Sequence, residues 1–310
     1  MVFSVDIKVR QLPITVRFPW KIGIVSFMAS PSLMRGEGDV AGELLRIAND
    51  PFFDAVEICG VTDDQWAKVK GGLSRLVVGR GFQPDILSGK IDLNSPDDHE
   101  RKQAVDKLKE EIRKLGERGI KVAAVCSGPD PGERQRRAAR QRLTDSLNEL
   151  CGEASRLGEM VLLEAFDRIY DKKLLIGPIV EAARVVRAVR RDHQNIGLMW
   201  DLSHAPMLSE HPSDLRRVKD VLSHVHIGCA MKRGKTMLDS HPVFHSEGAV
   251  NTERDVAELL KVLLDIGYGG VVSFEVKPGE GQTTEEAIET SKRVIKDAFE
   301  RTVFEVLGGR

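Results

Sequence analysis

Short apolar runs alternate with amphipathic stretches along most of the chain. The runs are rich in Val, Ile, Leu and Met, as expected of parallel strands that are buried on both faces. In the first half they are Lys21–Phe27, Ala55–Cys59, Phe82–Leu87 and Ile120–Cys126, and in the second half Val161–Phe166, Ile196–Ser203, Val221–Gly228 and Gly270–Val276. The alternation of these apolar runs with amphipathic stretches predicts eight β/α units.

The stretches between the strands predict helices. They are Val40–Asn49, Asp63–Val78, Asp98–Arg118, Arg134–Leu157, Lys173–Arg190, Ser213–Lys219, Thr252–Ile266 and Thr283–Leu307, with Thr252 and Asp255 as a capping pair.

Strand and helix alternate through 310 residues, the size of one (β/α)8 TIM barrel, so we expect a single domain over residues 1–310. Residues 1–20 form an N-terminal extension that we interpret as a hairpin. The long loop Cys229–Val250 after strand seven is a candidate lid or substrate-binding segment.

Four acidic or imidazole side chains lie at the C-terminal ends of the late strands, where TIM barrels gather their chemistry. They are Glu164, Asp201, His226 and Glu275. Three carboxylates and one imidazole suit Mn²⁺, Mg²⁺ or Co²⁺, with Zn²⁺ less favoured. Taken singly, each residue has an ordinary structural explanation, such as a salt bridge, a helix cap or a packed histidine. Their joint placement favours one divalent metal site, because each would otherwise leave a polar group half-buried at a cost.

Charge and cysteine content limit the possible partners. There are 46 basic and 47 acidic residues, for a formal net charge of −1, so no overall field attracts nucleic acid or an anionic membrane. The four cysteines lack CxxC spacing and the density of a disulfide scaffold, which predicts packed thiols in a reducing compartment. No window approaches the ~18 apolar residues of a membrane span, and the first twenty residues lack a signal-peptide core. We therefore expect a cytoplasmic protein.

Five motifs resemble those of the xylose isomerase-like barrels, which include sugar phosphate isomerases and epimerases, ketose 3-epimerases, inosose dehydratases and AP endonucleases. The motifs are LEAFDR around Glu164, MWDLSH at Met199–His204, HVHIG at His224–Gly228, SEGAV at Ser246–Val250 and IGYGGVVSFEVKP at Ile266–Pro278. The resemblance is strongest across residues 160–280. It implies that the four strand-end residues bind one divalent metal ion, with Mn²⁺ the first choice. It also implies that Glu164 and Glu275 act as an acid/base pair on opposite faces of a substrate.

The resemblance extends to substrate contacts. It implies that His204 meets a substrate hydroxyl, and it places Lys232 and Arg233 near the position of a substrate-binding arginine. Solvent-facing charge is the alternative that we favour for that basic pair. His224 is a candidate partner of His226. Glu57 fits a structural acid at the barrel mouth as well as a substrate contact.

Departures from the epimerase pattern leave other chemistry open. Tyr170 stands where epimerases carry an acidic residue, and Asp239-Ser-His241 resembles the DxH zinc pair of the AP endonucleases. Asp239 and His241 are therefore candidate substrate contacts, and Asp239, His241 or His245 could hold a second metal weakly. The predicted ends of strands two to four carry no histidine, which disfavours a three-zinc cluster. A metal-bound glutamate is a weaker base, so His204 or His241 is an alternative proton acceptor.

These observations predict a metal-dependent isomerase or epimerase that removes a proton beside a carbonyl of a sugar or keto-sugar, by way of an enediolate. The alternative is a lyase or dehydratase that starts from the same enediolate, like relatives that dehydrate inososes or cleave 3-keto C-glycosides. An AP endonuclease-like hydrolase is a distant third. We expect a small carbohydrate as partner, neither nucleic acid nor membrane, and the resemblance implies a homo-oligomer, either dimer or tetramer.

Overall fold

Eight parallel strands close into a barrel in the computed structural model, which describes residues 3–9 and 12–308. The strands are β1 (Ser4–Val9), β2 (Leu12–Arg17), β3 (Lys21–Val25), β4 (Ala55–Ile58), β5 (Val77–Gly81), β6 (Val122–Cys126), β7 (Met160–Glu164), β8 (Ile196–Asp201), β9 (Leu222–Ile227), β10 (Met231–Arg233), β11 (Thr236–Leu238) and β12 (Val271–Phe274). The barrel order is β12-β3-β4-β5-β6-β7-β8-β9, and β12 closes it by pairing with both β9 and β3. The predicted (β/α)8 barrel is confirmed.

Helices surround the barrel. They are α1 (Ser26–Ala29), α2 (Pro31–Arg35), α3 (Val40–Ala48), α4 (Asp63–Leu73), α5 (Gln83–Asp85) with a following π-helical turn (Ile86–Lys90), α6 (Asp98–Arg118), α7 (Glu133–Arg156), α8 (Ile179–Val189), α9 (Ala205–Leu208), a 3₁₀ helix (Pro212–Arg217), α10 (Glu253–Asp265) and α11 (Thr284–Leu307). The predicted capping pair of α10 is present, since the Thr252 N–H donates to Asp255 Oδ2 at 2.7 Å. The main apolar core lies between the barrel and these helices.

The prediction of a third strand at Phe82–Leu87 is wrong. The third barrel strand is β5, and the segment after it turns into α5 and the π-helical turn. β5 has the sequence VVGRG, so two glycines and a buried arginine weaken its apolar signal. Pro84 lies in the first turn of α5, where proline is tolerated.

Two predicted helices are longer than the helices in the structure. The helix predicted at Asp63–Val78 ends at Leu73, because Val77 already belongs to β5. The helix predicted at Lys173–Arg190 begins at Ile179, after Pro178 at its N-cap. The predicted short helix at Ser213–Lys219 is the 3₁₀ helix Pro212–Arg217. Each error lies in the length of an element and leaves the order of the units unchanged.

The N-terminal extension contains a hairpin, in which β1 and β2 pair antiparallel. The rings of Phe3 and Phe18 stack beside it, and Phe299 packs edge-on against both. Trp20 Nε1 donates to the Tyr268 carbonyl at 2.7 Å. Because Phe18 and Trp20 directly precede β3, the hairpin lies at the N-terminal end of the barrel, opposite the strand ends that carry the candidate ligands.

The four cysteines are buried and free. Among the described helices, none has the length and apolar character needed to cross a membrane.

Candidate metal centre

The barrel brings the four predicted ligands to one point at its C-terminal end. Glu164 is the last residue of β7, Asp201 is the last of β8, His226 is the fifth residue of β9, and Glu275 follows β12. One ligand atom from each lies within 4.8 Å of the others. Glu275 is the most accessible of the four, with 14% of its side chain exposed, whereas the others are at most 2% exposed. Their role as metal ligands stays a prediction.

Three atoms of this group are buried without a hydrogen-bond partner among the described residues: Glu164 Oε1, His226 Nδ1 and Glu275 Oε2. His226 Nδ1 lies 2.6 Å from Glu275 Oε2 and 3.7 Å from Glu164 Oε1. The first distance is that of an ion pair, which leaves Glu164 Oε1 as the atom without a close partner. A buried polar atom without a partner is costly and in native proteins usually indicates an ion or another missing partner. Because these atoms converge and belong to good metal-ligand types, the residues fit one divalent cation.

Neighbouring side chains fix the outer oxygens of the carboxylates. Gln83 Nε2 donates to Glu164 Oε2 at 2.7 Å, which leaves Oε1 of that residue turned to the group. Ser203 donates to Asp201 twice, from its N–H to Oδ1 at 2.7 Å and from its hydroxyl to Oδ2 at 2.6 Å. Both contacts orient ligands in the way that the outer shell of a metal site does. Gln83 was not predicted, because it lies in the segment interpreted as a strand.

A second group of side chains adjoins the first. His204 Nδ1 donates to the Ala165 carbonyl at 2.9 Å, and its Nε2 lies 3.2 Å from Asp239 Oδ1. His241 Nε2 approaches the same oxygen at 2.7 Å. Since both partners of His204 only accept, both its ring nitrogens carry hydrogens. In this arrangement neither nitrogen is free for a substrate hydroxyl, so the contact predicted for His204 requires a rearrangement.

The charges of this second group reinforce one another. Burial opposes ionisation of His204, but Asp239 and Asp201 outweigh it and raise the pKa of the imidazole well above its ordinary value. Burial also disfavours the Asp239 carboxylate, yet His241 and His204 hold its pKa well below the usual range. For His241, Glu275 and Asp239 overcome burial and raise the pKa to about 9. The group is thus a buried ion network at neutral pH.

Glu57 forms a third group with two imidazoles of β9. Its Oε1 lies 3.0 Å from His224 Nε2, and its Oε2 lies 3.1 Å from His226 Nε2. Burial opposes the charge, but His226 and His224 hold the pKa of Glu57 well below its ordinary value. For His226, burial is outweighed by Glu57 and Glu275, and the pKa is raised well above the usual range.

A pocket of about 660 Å³ opens over the centre. Its floor is polar and includes Glu57, Glu164, His226, Asp239, His241 and Glu275. One wall is apolar and is formed by Phe27, Met28, Pro31, Met34, Leu87 and Phe166. The volume lies within the range of small-molecule sites.

The basic residues of the pocket differ from the predicted pair. Lys232 and Arg233 lie on the exposed hairpin of β10 and β11 and do not line the pocket. Lys172 and Lys277 line it instead, with Lys172 Nζ 3.7 Å from Asp239 Oδ2. Lys277 lies within the IGYGGVVSFEVKP motif but was not predicted as a pocket residue, and Lys172 belongs to no motif. Both belong to loops whose course depends on the fold.

The long loop after β9 delivers Asp239 and His241 to the pocket. His241 has a φ of 50°, in the left-handed region that non-glycine residues seldom adopt. Its carbonyl accepts from the Lys277 N–H at 2.6 Å. Such strained residues persist where the surroundings fix them and are concentrated at functional sites. The predicted substrate-binding segment therefore reaches the pocket.

The family described as "Xylose isomerase-like TIM barrel" matches residues 53–298. No curated protein matches the sequence significantly.

Solved structures share the fold at low identity. A D-psicose 3-epimerase from Clostridium cellulolyticum H10 with D-tagatose has a TM-score of 0.66 and 20% identity, over 92% of this chain and 98% of that one. A 3-keto-D-glucoside 4-epimerase from E. coli has a TM-score of 0.63 and 20% identity, over 89% and 98%. An IolI protein with a bound zinc atom has a TM-score of 0.69 and 18% identity, over 91% and 99%.

Proposed function

This chain belongs to the xylose isomerase-like TIM barrel family, and we propose that it is a divalent-metal-dependent isomerase or epimerase acting on a sugar or keto-sugar. The observation that carries the proposal is the convergence of four ligand-type side chains, with one ligand atom of each within 4.8 Å of the others, beside an open pocket. Three carboxylates gathered this closely repel one another, and a bound cation would relieve that repulsion. Similar folds in a psicose 3-epimerase and a keto-glucoside 4-epimerase support the sugar substrate.

Glu164, Asp201, His226 and Glu275 would hold the metal, with Mn²⁺ as first choice and Mg²⁺, Co²⁺ or Zn²⁺ as alternatives. When bound, such an ion polarises a carbonyl oxygen and thereby acidifies the neighbouring C–H. The zinc atom bound by the IolI neighbour, which shares this fold, supports a divalent metal here without fixing which ion this chain takes.

Glu275 and Glu164 are the groups that we assign to proton transfer. Both line the pocket, so each is within reach of a bound substrate. Glu275 removes the proton from the carbon beside the carbonyl, because it is the more exposed of the two. Glu164, held by Gln83, returns a proton on the opposite face in an epimerisation or at the adjacent carbon in an isomerisation. His241 is the alternative acceptor, since it faces the same pocket.

Hydrogen exchange with solvent tests this chemistry whichever product forms. Metal-loaded protein is incubated in D₂O with a panel of ketoses and keto-glycosides, and ¹H NMR follows loss of the signal beside the carbonyl. We expect exchange with at least one sugar, its loss after chelation, and a decrease of at least ~10²-fold in Glu275→Gln and Glu164→Gln. Glu153→Gln, in α7 and outside the pocket lining, is the matched control. Absence of exchange across the panel with fully metal-loaded wild type would contradict the proposal.

The apolar wall of the pocket favours a second candidate, a lyase that expels a leaving group after the same proton abstraction. A free monosaccharide carries hydroxyl groups on most of its carbons, so it gains little binding energy from contact with Phe27, Met34 and Phe166. An apolar substituent of a keto-glycoside would bury apolar surface against these residues. Release of an aglycone in the NMR experiment, with Met34→Ser raising KM for that substrate, would establish the lyase. Epimerised sugar with no released group would rule it out.

We also propose that the chain works as one domain over residues 1–310, in a reducing cytoplasmic compartment, and as a homo-oligomer. Gel filtration with light scattering tests the last point, and a monomeric mass would exclude it.

A further inference from the structure

Glu57 reaches across the barrel mouth to a strand that is not its neighbour. It is the third residue of β4, while its two imidazole partners, His224 and His226, belong to β9. In the barrel order β12 and β3 lie between these two strands. All three side chains are buried. The contact is therefore made through the barrel interior and is independent of the backbone pairing.

The chemistry of the contact determines which nitrogen of His226 carries hydrogen. An ionised carboxylate only accepts hydrogen bonds. His226 Nε2 lies 3.2 Å from Glu57 Oε1 and 3.1 Å from Oε2, so Nε2 must be the donor. The other nitrogen, Nδ1, faces Glu164 and Glu275, with Glu275 Oε2 at 2.6 Å. An imidazole binds a metal through a nitrogen without hydrogen, so a cation held by these carboxylates would take the place of any hydrogen on Nδ1.

We propose that Glu57 is a positioning residue, which holds the hydrogen of His226 on Nε2 and the ring in place so that Nδ1 is presented to a divalent cation. The proposal rests on the metal site of the proposed function. His224 holds Glu57 in turn, because its Nε2 lies 3.0 Å from Glu57 Oε1. Glu57 thus orients a ligand of the centre without being one itself.

The geometry separates this role from direct metal binding by Glu57. The two imidazole nitrogens point in different directions from the ring, and Glu57 lies on the Nε2 side, away from Glu164 and Glu275. Both its oxygens already accept from imidazole nitrogens. A cation bound at Nδ1 is therefore not bound by Glu57, although Glu57, Glu164 and Glu275 all line the same pocket.

The test compares metal affinity and the histidine tautomer in wild type, Glu57→Gln and Glu57→Asp. The apo proteins are titrated with Mn²⁺ and with Zn²⁺ by calorimetry, and ¹⁵N NMR of histidine-labelled, Zn²⁺-loaded protein reports which ring nitrogen carries hydrogen. We expect Glu57→Gln to weaken metal affinity ~10–100-fold and to shift the His226 ¹⁵N signals. Glu57→Asp keeps the charge but shortens the reach, and we expect an intermediate loss. Glu159→Gln, a buried carboxyl at the other end of the barrel, is the control that leaves both readouts unchanged.

The outcomes separate the positioning role from the proposed function. Wild-type affinity and unchanged His226 signals in Glu57→Gln, even with lowered thermal stability, would overturn the positioning role and leave the proposed function intact. No metal binding by folded wild type would remove the proposed function, and this inference with it. If Glu57→Gln does not fold, the Asp variant decides the matter by the same two readouts.

Discussion

Glu159 lowers the free energy of unfolding by an amount that depends on pH and that the structure allows us to estimate. It directly precedes β7 and is 2% exposed, and neither of its carboxylate oxygens has a hydrogen-bond partner among the described residues. Burial raises the pKa of this carboxyl to about 7 from an ordinary value of 4.5, and Lys121 opposes the shift only in part. The folded protein thus keeps this proton over a range of pH in which the unfolded chain has lost it.

The sign follows from proton linkage. Below pH 4.5 both states hold the proton, so Glu159 adds no pH dependence there. Between pH 4.5 and about 7 only the folded state holds it, and the free energy of unfolding falls as pH rises. Above pH 7 the loss is complete. Each unit of pKa difference corresponds to ~1.36 kcal/mol, which sets an upper limit of about 3 kcal/mol. The opposing Lys121 charge is already included in this pKa, and we expect about 1–2 kcal/mol after screening by solvent.

Glu159→Gln removes the titration while keeping the shape of the protonated acid. We therefore expect the variant to exceed wild type only slightly at pH 5, where the loss has just begun, and by the full amount at pH 8. For 310 residues, with ~2.1 cal/mol/K of unfolding entropy per residue, 1–2 kcal/mol corresponds to a gain in Tm of about 2–3 °C. Differential scanning calorimetry at pH 5 and pH 8 measures this difference between the two proteins.

Glu153→Gln is the control, because the pKa of Glu153 is shifted in the opposite direction to that of Glu159. Glu153 pairs with Arg113 at 2.7 Å, a hydrogen bond that holds its pKa below the ordinary value. Its contribution is lost only as pH falls through that lowered pKa, so the variant changes stability equally at pH 5 and pH 8. An effect of Glu159→Gln that is the same at both pH values would refute the reasoning about Glu159.

Three further predictions concern the centre and the core. Gly228→Ala would place a Cβ 2.5 Å from the Glu275 carbonyl oxygen, so we expect weaker metal binding by titration and a stability loss of ~1–3 kcal/mol in thermal unfolding. Gly60→Ala, with open space around it, should change neither. Ser203→Ala removes the 2.6 Å hydrogen bond to Asp201 Oδ2, and we expect calorimetry to show ~10-fold weaker metal binding with little change in Tm. The four cysteines are buried, so a thiol reagent should label none quickly in the native state and all four in denaturant; rapid native labelling would contradict the packing.

The late half of the barrel was predictable because its strands are continuous apolar runs that end in chemically distinctive residues. Glu164 and Asp201 end their strands and His226 is the last residue but one of β9, and parallel strands place their C-terminal ends together. β5 lacked this signal, because the glycines of VVGRG are more typical of a turn. The error there also hid Gln83, whose bond to Glu164 joins residues 81 apart in sequence.

The connections among the ligands could not be predicted, since they depend on side chains that meet across the barrel. Nothing in the local sequence of Glu57 indicates that it meets His226, which is 169 residues away. The Asp239-Ser-His241 motif was visible, but its contact with His204 required the path of the long loop. Lys172 likewise reaches the pocket only because its loop folds against Asp239. The local pattern thus indicated the candidate ligands, whereas the contacts that surround them were set by tertiary packing.

The most direct test of the central claim is the metal content of protein purified without chelator and then reconstituted, measured by elemental analysis. The comparison includes wild type, His226→Ala and Glu275→Gln. We predict one equivalent of a divalent ion, Mn²⁺ first among Mg²⁺, Co²⁺ and Zn²⁺, in wild type and its loss in both variants. Wild-type protein that is folded but takes up no metal would contradict this claim, and three equivalents of zinc would favour a hydrolase instead.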